Sequence, residues 1–308
     1  MPSCPSELLD IMRHELAPTL RPDLAPLLQV IEQRFGGSLQ AVLFYGAALR
    51  QGVVGDAMVD FYVIVRDYQD AYEAAWERWA NRLLPPNVYY LQTEDGALRA
   101  KYAVFSLPHL KRLSHGFLPQ VWGRLVQPMQ LLMVASSMIQ DELAAIRAHA
   151  VLTFLHHTLP LAPAHCTIAN LWHSGLAASY RTELRPEGPQ RIAALLQAAL
   201  PRLDRLTRAA APALPMRCAG ELCTSEIGRW HRCAARLLWL GRMILGKLAN
   251  IMRLAKATLT FQGGIDYAVW KIQRHTGHTI AITPRLRRHP VLLGFPRLIA
   301  LWWRGLLR

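Results

Sequence analysis

No run of about 18 uninterrupted apolar residues occurs in the chain, so a membrane-spanning helix is not expected. Acidic residues are scarce beyond residue 215, where three Asp and Glu face 16 Lys and Arg. The last 93 residues therefore carry +13 of the total +14, while the first 215, with 19 basic and 18 acidic residues, stand at +1. Such asymmetry points to an anionic partner surface, either nucleic acid or acidic lipid. Cysteines are few: five, an odd number, with no CxxC pair, which predicts free thiols in a reducing compartment. Cys223, His231 and Cys233 fit no usual zinc-ligand spacing, and His156, His157 and Cys166 read as ordinary helix and loop residues. A Ser-His-Asp or Cys-His machine has no signature here. The start, MPSCPSELLDIMRHEL, lacks the basic opening and apolar centre of a signal peptide. What is present in quantity is apolar: 52% hydrophobic against 18% charged residues excludes a wholly disordered chain. The 308 residues suffice for one large or two to three small domains.

The stretch AVLFYGAALRQGVVGDAMVDFYVIV (41–65) organises the rest. An apolar run meets Gly46, and a second, β-branched run carries Asp60 at its start, the pattern of strand, small-residue turn and strand. A carboxylate at the mouth of a buried strand beside a bare turn suits Mg²⁺ and triphosphate. The same residues also suit a buried hairpin whose acid serves only local hydrogen bonding. Before this stretch, residues 6–35 read helical, with Ser6 as cap, interruptions at Pro18, Pro22 and Pro26, and an end at Gly36-Gly37. After it, Asp67–Leu84 reads as one helix with Tyr72, Ala75, Trp76 and Trp79 on one face. Asn87–Gln92 and Leu98–Ser106 read as strands joined by a turn at Asp95-Gly96. Helical patterns are predicted near 113–138, 141–159, 169–182 and 189–209, with AAAPALP (209–215) as a linker. The expected organisation is an α/β domain over 1–112, a helical domain over 113–215 and a basic region over 216–308.

In that basic region, Arg232, Arg236, Lys247 and Arg253 share one side of a helix, opposite Leu237, Ile244, Leu248, Ile251 and Leu259. In PRLIALWWRGLLR, Arg297, Arg304 and Arg308 form a stripe, with Trp302 on the far side and Trp303 nearby. Cationic and aromatic-aliphatic faces on a modest helix fit an interfacial membrane segment, though such helices also pack on a protein core with their charges in water. Aromatics and cations on opposite faces argue against nucleic acid.

Five pieces, in order, resemble the mitochondrial translocator assembly and maintenance family of CTP:phosphatidate cytidylyltransferases, in the form of a bacterial relative. They are FYGAALRQG (44–52) for the family's Y-G-S-G turn, AMVDFYVIV (57–65) for its M-[IL]-D strand, NVYY (87–90), LRAKYAVFS (98–106) and WGRLVQPM (122–129). LAASYRTELR (176–185) falls where the family has a serine-tyrosine stretch followed by an acid. The resemblance implies a nucleotidyltransferase-fold domain, a winged-helix-like helical domain and a basic amphipathic tail. It implies CTP and phosphatidic acid as substrates, Mg²⁺ as cofactor, and CDP-diacylglycerol and pyrophosphate as products. It also implies a peripheral position on the cytoplasmic face of a membrane, or on the matrix side of the inner membrane if mitochondrial. Tyr45, Gly46 and Ala47 would form the phosphate turn, Asp60 the metal position, and Lys101 would neutralise charge on the leaving pyrophosphate.

Two departures stand out. Ala47 lacks the family's hydroxyl, which opens the alternative of a weakened or inactive membrane-attached scaffold; a nucleotidyltransferase with a non-lipid acceptor is a further alternative. Tyr62 stands two residues after Asp60, where nucleotidyltransferases in general carry a second acid, leaving Asp56 as the candidate partner. Lys101 and Arg99 share a strand face, which simple solvation would also explain. Arg124, Tyr180, Arg181 and Arg185 are candidates for the lipid phosphate, since Arg grips phosphate bidentately. For Arg124 a helix-surface salt bridge is the structural alternative; for Tyr180, Arg181 and Arg185 it is pairing with Glu183 or Glu187. One ring of Tyr89 and Tyr90 is a candidate to stack on the base.

Overall fold

A computed structural model describes residues 4–52, 58–93, 95–184 and 189–260. Asp56, Arg185, Glu187, Arg297, Trp302, Trp303, Arg304 and Arg308, named above, lie outside them. The first large element is a mixed five-stranded sheet: β1 (Leu39–Tyr45), β2 (Met58–Val65), β3 (Asn87–Gln92), β4 (Arg99–Ser106) and β5 (Met129–Val134), in the order β3-β4-β2-β1-β5. β2 runs parallel to β4, and the other neighbours are antiparallel. Residues alternate between faces along each strand, and here both faces are covered, so the strands read as near-continuous apolar runs.

One face carries Val42, Phe44, Val59, Phe61, Val63, Tyr102 and Val104, packed under helix α2 (Ala25–Phe35) and the tyrosines Tyr68, Tyr72 and Tyr89. The other carries Leu43, Tyr62, Ile64, Ala103 and Phe105, and its core continues without a break into the helical half. Helices α1 (Ser6–Glu15), α7 (Pro119–Leu125) and α9 (Ile168–Arg181) gather around α8 (Ser137–Thr158), together with α10 (Pro189–Ala210). Both α8 and its neighbours bury large side chains, notably Trp122, Phe154 and Trp172. A small second sheet of β6 (His165–Thr167), β7 (Met216–Ala219) and β8 (Leu222–Ser225), ordered β6-β8-β7, closes this half. The described chain ends with the 32-residue helix α11 (Arg229–Thr260).

Several expectations are corrected. Ser6 begins α1 but does not cap it: Pro5 precedes the helix and no side chain bonds its free N–H groups. Asp67–Leu84 is not one helix. Asp67 caps the short α4 (Tyr68–Ala71), Tyr72 is extended, and α5 (Ala75–Leu83) restarts beyond it. The break lets Tyr68 and Tyr72 both enter the core, where Tyr72 Oη accepts from Asn81 Nδ2 at 2.9 Å; Trp76 and Trp79 stay exposed. Within 113–138, helix α7 stops near Pro128 and Met129–Val134 pairs with β1 as a fifth strand. That strand's outer edge is met at Leu131 by Thr19, whose N–H bonds Leu131 O at 2.8 Å, which covers the edge at that point. The 209–215 stretch is a 3₁₀ turn (Ala211–Ala213) leading straight into β7. The expectation of free thiols throughout also fails: Cys218 and Cys223 form a disulfide, while Cys4, Cys166 and Cys233 are free.

Candidate functional site

The strand registers assemble a single cross-strand row. Tyr45 of β1 pairs with Asp60 of β2, Asp60 with Lys101 of β4, and Lys101 with Tyr90 of β3. Paired residues point to one face, and this is the face turned toward the helical half. There the apolar core formed by Tyr62, Ile64 and Phe105 ends and half-buried polar groups take over. Asp60 and Lys101 are 21% and 38% exposed at their side chains, with Lys101 Nζ 3.0 Å from Asp60 Oδ1. Arg99, two residues before Lys101, lies on the same face.

Gly46 is demanded twice over. Its φ of 94° suits glycine, and a Cβ there would stand 2.7 Å from Asp60 Oδ2. The bend after β1 is thus pressed directly against the carboxylate, as the sequence pattern predicted. Tyr45 and Tyr62 lean on one another with ring centroids 4.2 Å apart. Burial is the main cause that pushes both phenols up, Tyr62 to about 12, so both hydroxyls stay protonated near neutrality. Tyr62 occupies the position where a second acid would sit and packs edge-on against Phe105.

The helical half supplies the opposite wall. Arg124 of α7 donates from Nη2 to both Glu183 oxygens, at 2.8 and 3.0 Å. Burial opposes its charge, but Glu183 and the phenols of Tyr62, Tyr45 and Tyr180 hold the guanidinium firmly protonated. Structural pairing therefore engages Arg124, although the side chain stays half exposed. Tyr180 is buried, accepts from Gln127 Nε2 at 3.3 Å, and lines a mainly apolar cavity of about 310 Å³ with Leu49, Trp172, Leu176 and Leu203. Arg181 is exposed at the end of α9. Tyr89 belongs to the other face, beneath the Arg34 guanidinium at 4.1 Å, so of the two tyrosines only Tyr90 shares the Lys101 row.

Two further residues escaped sequence reasoning. Arg253 of α11 donates from Nε to Pro85 O at 2.7 Å, and its charge is felt by Tyr62, Glu183 and Arg124. Lys256 binds the carbonyls of Leu84 and Pro86 at the same corner; burial and Arg253 lower its pKa to about 7. Together they strap α11 across the end of α5 beside the half-buried polar row. The helical register placed Arg253 on a cationic side, but nothing local indicated that this side faces the protein.

Among the described residues no three His, Cys, Asp or Glu side chains cluster for a metal. The donor set nevertheless fits a magnesium–triphosphate pair, because Mg²⁺ takes as little as one carboxylate together with phosphate oxygens. Lys101 engages Oδ1 of Asp60, and Oδ2 faces the bend at Gly46. Lys101 pairs with Asp60, Arg124 pairs with Glu183, and the charge of Arg253 acts on Glu183 and Arg124, so cations outnumber acids at this end of the sheet.

No protein-family profile matches the chain, and no curated protein matches it. A solved structure titled as a nucleotidyltransferase-like protein from Exiguobacterium sibiricum 255-15 is similar at a TM-score of 0.29 and 15% identity, over 93% of this chain and 92% of that one. Likeness of that degree decides neither fold nor function.

Proposed function

We propose that the protein is a nucleotidyltransferase that joins a nucleoside triphosphate to a phosphate-bearing acceptor, and that the pair is CTP and phosphatidic acid. The observation that carries the reading is the bend at Gly46 packed on Asp60, with Lys101 on the carboxylate's other oxygen. In this reading the backbone of Tyr45, Gly46 and Ala47 receives the triphosphate, which bulky side chains would keep away. Mg²⁺ bound by Asp60 and phosphate oxygens would supply charge neutralisation. An acceptor phosphate oxygen bonds the α-phosphorus while the bond to the departing pyrophosphate breaks. Lys101 and Arg99 sit where they offset charge gathering on that leaving group. The acceptor phosphate meets Arg124 across the crevice, and the cavity beside Tyr180 has room for an apolar portion of the acceptor.

A lipid acceptor draws support from α11. Arg232, Arg242 and Arg253 turn inward onto carbonyls, while Leu237, Ile244, Leu248 and Ile251 are more than half exposed. Arg229, Arg236 and Lys247 are exposed with them, and Arg229–Thr260 contains no acid. An apolar face with cations and no anions suits an anionic bilayer surface, and no helix among the described residues is long and apolar enough to cross one. The second half runs α8, β6, α9, α10, β7, β8 with the first strand beside the last, an order that supports the winged-helix-like reading drawn from the resemblance.

A second reading is a nucleotide-binding scaffold without turnover. Ala47 offers no hydroxyl, and Lys101 is already paired with the only carboxylate of the row among the described residues. One experiment separates the two. Purified protein with Mg²⁺, CTP and phosphatidate-containing vesicles is followed for CDP-diacylglycerol and pyrophosphate, with CTP binding measured by calorimetry. Product supports the transferase; CTP binding without product supports the scaffold; neither product nor binding overturns both.

A further inference from the structure

Outside this crevice, three cysteines stand in one row across the small sheet. Cys166 of β6 pairs with Cys223 of β8, and Cys223 pairs with Cys218 of β7. Directly opposed residues of antiparallel strands share a face, so all three sulfurs lie on the inner side of the sheet. Cys166 and Cys223 are 7% and 1% exposed there. The Cys218–Cys223 pair is bonded and Cys166 is free. Opposed Cβ atoms in such a pair stand about 4.5–5.5 Å apart, whereas a disulfide spans about 3.5–4.5 Å. A shift of about 1 Å would therefore bring Cys166 within bonding reach of Cys223.

A second observation is independent of the row. Arg232, in the first turn of α11, donates to the carbonyls of Ile227, Pro160 and Ala162, yet its Nη2 is buried with no hydrogen-bond partner. A buried cationic N–H left unpaired is costly unless an anion meets it. Its charge acts on Cys166: burial raises the thiol above its ordinary pKa, and Arg232 offsets only part of that rise. An attacking thiol held beside a fixed cation and opposite a disulfide sulfur has the parts that exchange requires.

We propose that this row is a thiol–disulfide exchange centre in which Cys166 and Cys218 compete for Cys223. The Cys166 proton passes to solvent, and the thiolate attacks Sγ of Cys223. The Cys166–Cys223 bond forms as the Cys223–Cys218 bond breaks. Cys218 departs with the electron pair and takes up a proton, so nothing is oxidised or reduced overall. The two isomers differ in what they fasten. Cys218–Cys223 closes the β7–β8 hairpin on itself, whereas Cys166–Cys223 encloses α9 and α10 and ties the hairpin to the strand that leads into α9, the helix bearing Tyr180. The centre thus sets how firmly one wall of the crevice is held.

The test uses full-length protein carrying Cys4→Ser and Cys233→Ser, so that only the row remains. It is equilibrated in a mixture of reduced and oxidised glutathione, quenched with acid, alkylated and digested without reduction for mass spectrometry. A second sample adds Cys218→Ser, with circular dichroism to follow folding. The expected result is a Cys166–Cys223 linked peptide, as a fraction beside Cys218–Cys223 in the first sample and as the dominant bond in the second. Recovery of that peptide from either sample supports the exchange centre. Its absence from both overturns it.

Discussion

The two faces of the five-stranded sheet use the same residue types to opposite ends. On the face under α2, Tyr89 Oη donates to Glu77 at 2.7 Å, Asn81 bonds both Tyr72 Oη and Val104 O, and Arg34 lies over Tyr89 while donating to Tyr102. Every ring there is covered and its polar tip satisfied by a neighbouring element. On the other face, Tyr45, Asp60, Lys101 and Tyr90 form a row that no helix covers completely, and the acid and the lysine remain open to solvent. Helices α4 and α5 seal the first face. The second is left half open beside α7 and α11. Polar groups that are sealed stabilise; those left half open can meet a ligand.

The largest effect expected from that contrast is on turnover. Asp60→Asn should lower CTP-dependent product formation by about a hundredfold or more, the scale seen when a transition-state electrostatic group is removed, with the melting temperature nearly unchanged. Tyr89→Phe, two strands over on the sealed face, should do the reverse: activity retained, and stability reduced by about 1 kcal/mol for the lost hydrogen bond, measured by urea denaturation. Full turnover in Asp60→Asn would remove the role assigned to the row. Next in size is Gly46→Ala. The positive φ and the contact with Asp60 together impose strain of about 1–3 kcal/mol, which should weaken CTP binding roughly tenfold to a hundredfold in calorimetry.

How much of this the sequence disclosed follows from how local each signal is. Gly46 and Asp60 were readable because a bend and a strand-edge acid are features of a few adjacent residues. Four strands were readable for the same reason, being apolar runs bounded by turns. Met129–Val134 was not: MQLLMV follows a helical stretch, and only the free edge of β1, distant in sequence, makes it a strand. The two-strand hairpin of 216–225 is too short for its alternation to outweigh the alanine- and proline-rich segment before it. A surface salt bridge for Arg124 was weighed without its partner, Glu183, being identified, and Arg253 against Pro85 spans 168 residues; no periodicity reveals either pairing. The register of α11 told which residues share a side and left open which side meets the protein.

The sealed face should also govern stability in acid. His109 is buried against Tyr68, with Nδ1 and Oη 3.0 Å apart, and burial, reinforced by Arg112 and Arg82, lowers its pKa from 6.5 to about 4. Between those values the unfolded chain binds a proton that the folded one refuses, so stability falls as pH drops through this window. The loss attributable to this group is about 1.4 kcal/mol per pH unit, or roughly 3 kcal/mol by pH 4. His109→Gln should flatten that slope in denaturation curves taken from pH 6.5 to 4; an unchanged slope would mean that the imidazole takes up its proton equally in both states.

The smallest effect on the folded protein, and the one that tests the outer surface, concerns α11. Leu248 and Ile251 are 52% and 53% exposed, so replacing them with serine removes little packing and should shift stability by no more than about 0.5 kcal/mol. Each buries substantial apolar area only if a lipid surface covers the helix. On that account the double change should lower recovery with anionic vesicles by roughly tenfold, from about 25 cal/mol per Å² of apolar contact forgone. Arg236→Gln with Lys247→Gln should reduce recovery on anionic vesicles and leave neutral ones unaffected, because the coulombic attraction requires both signs of charge. Equal recovery of all three proteins would separate α11 from the bilayer and leave the crevice to act on an acceptor brought to it from solution.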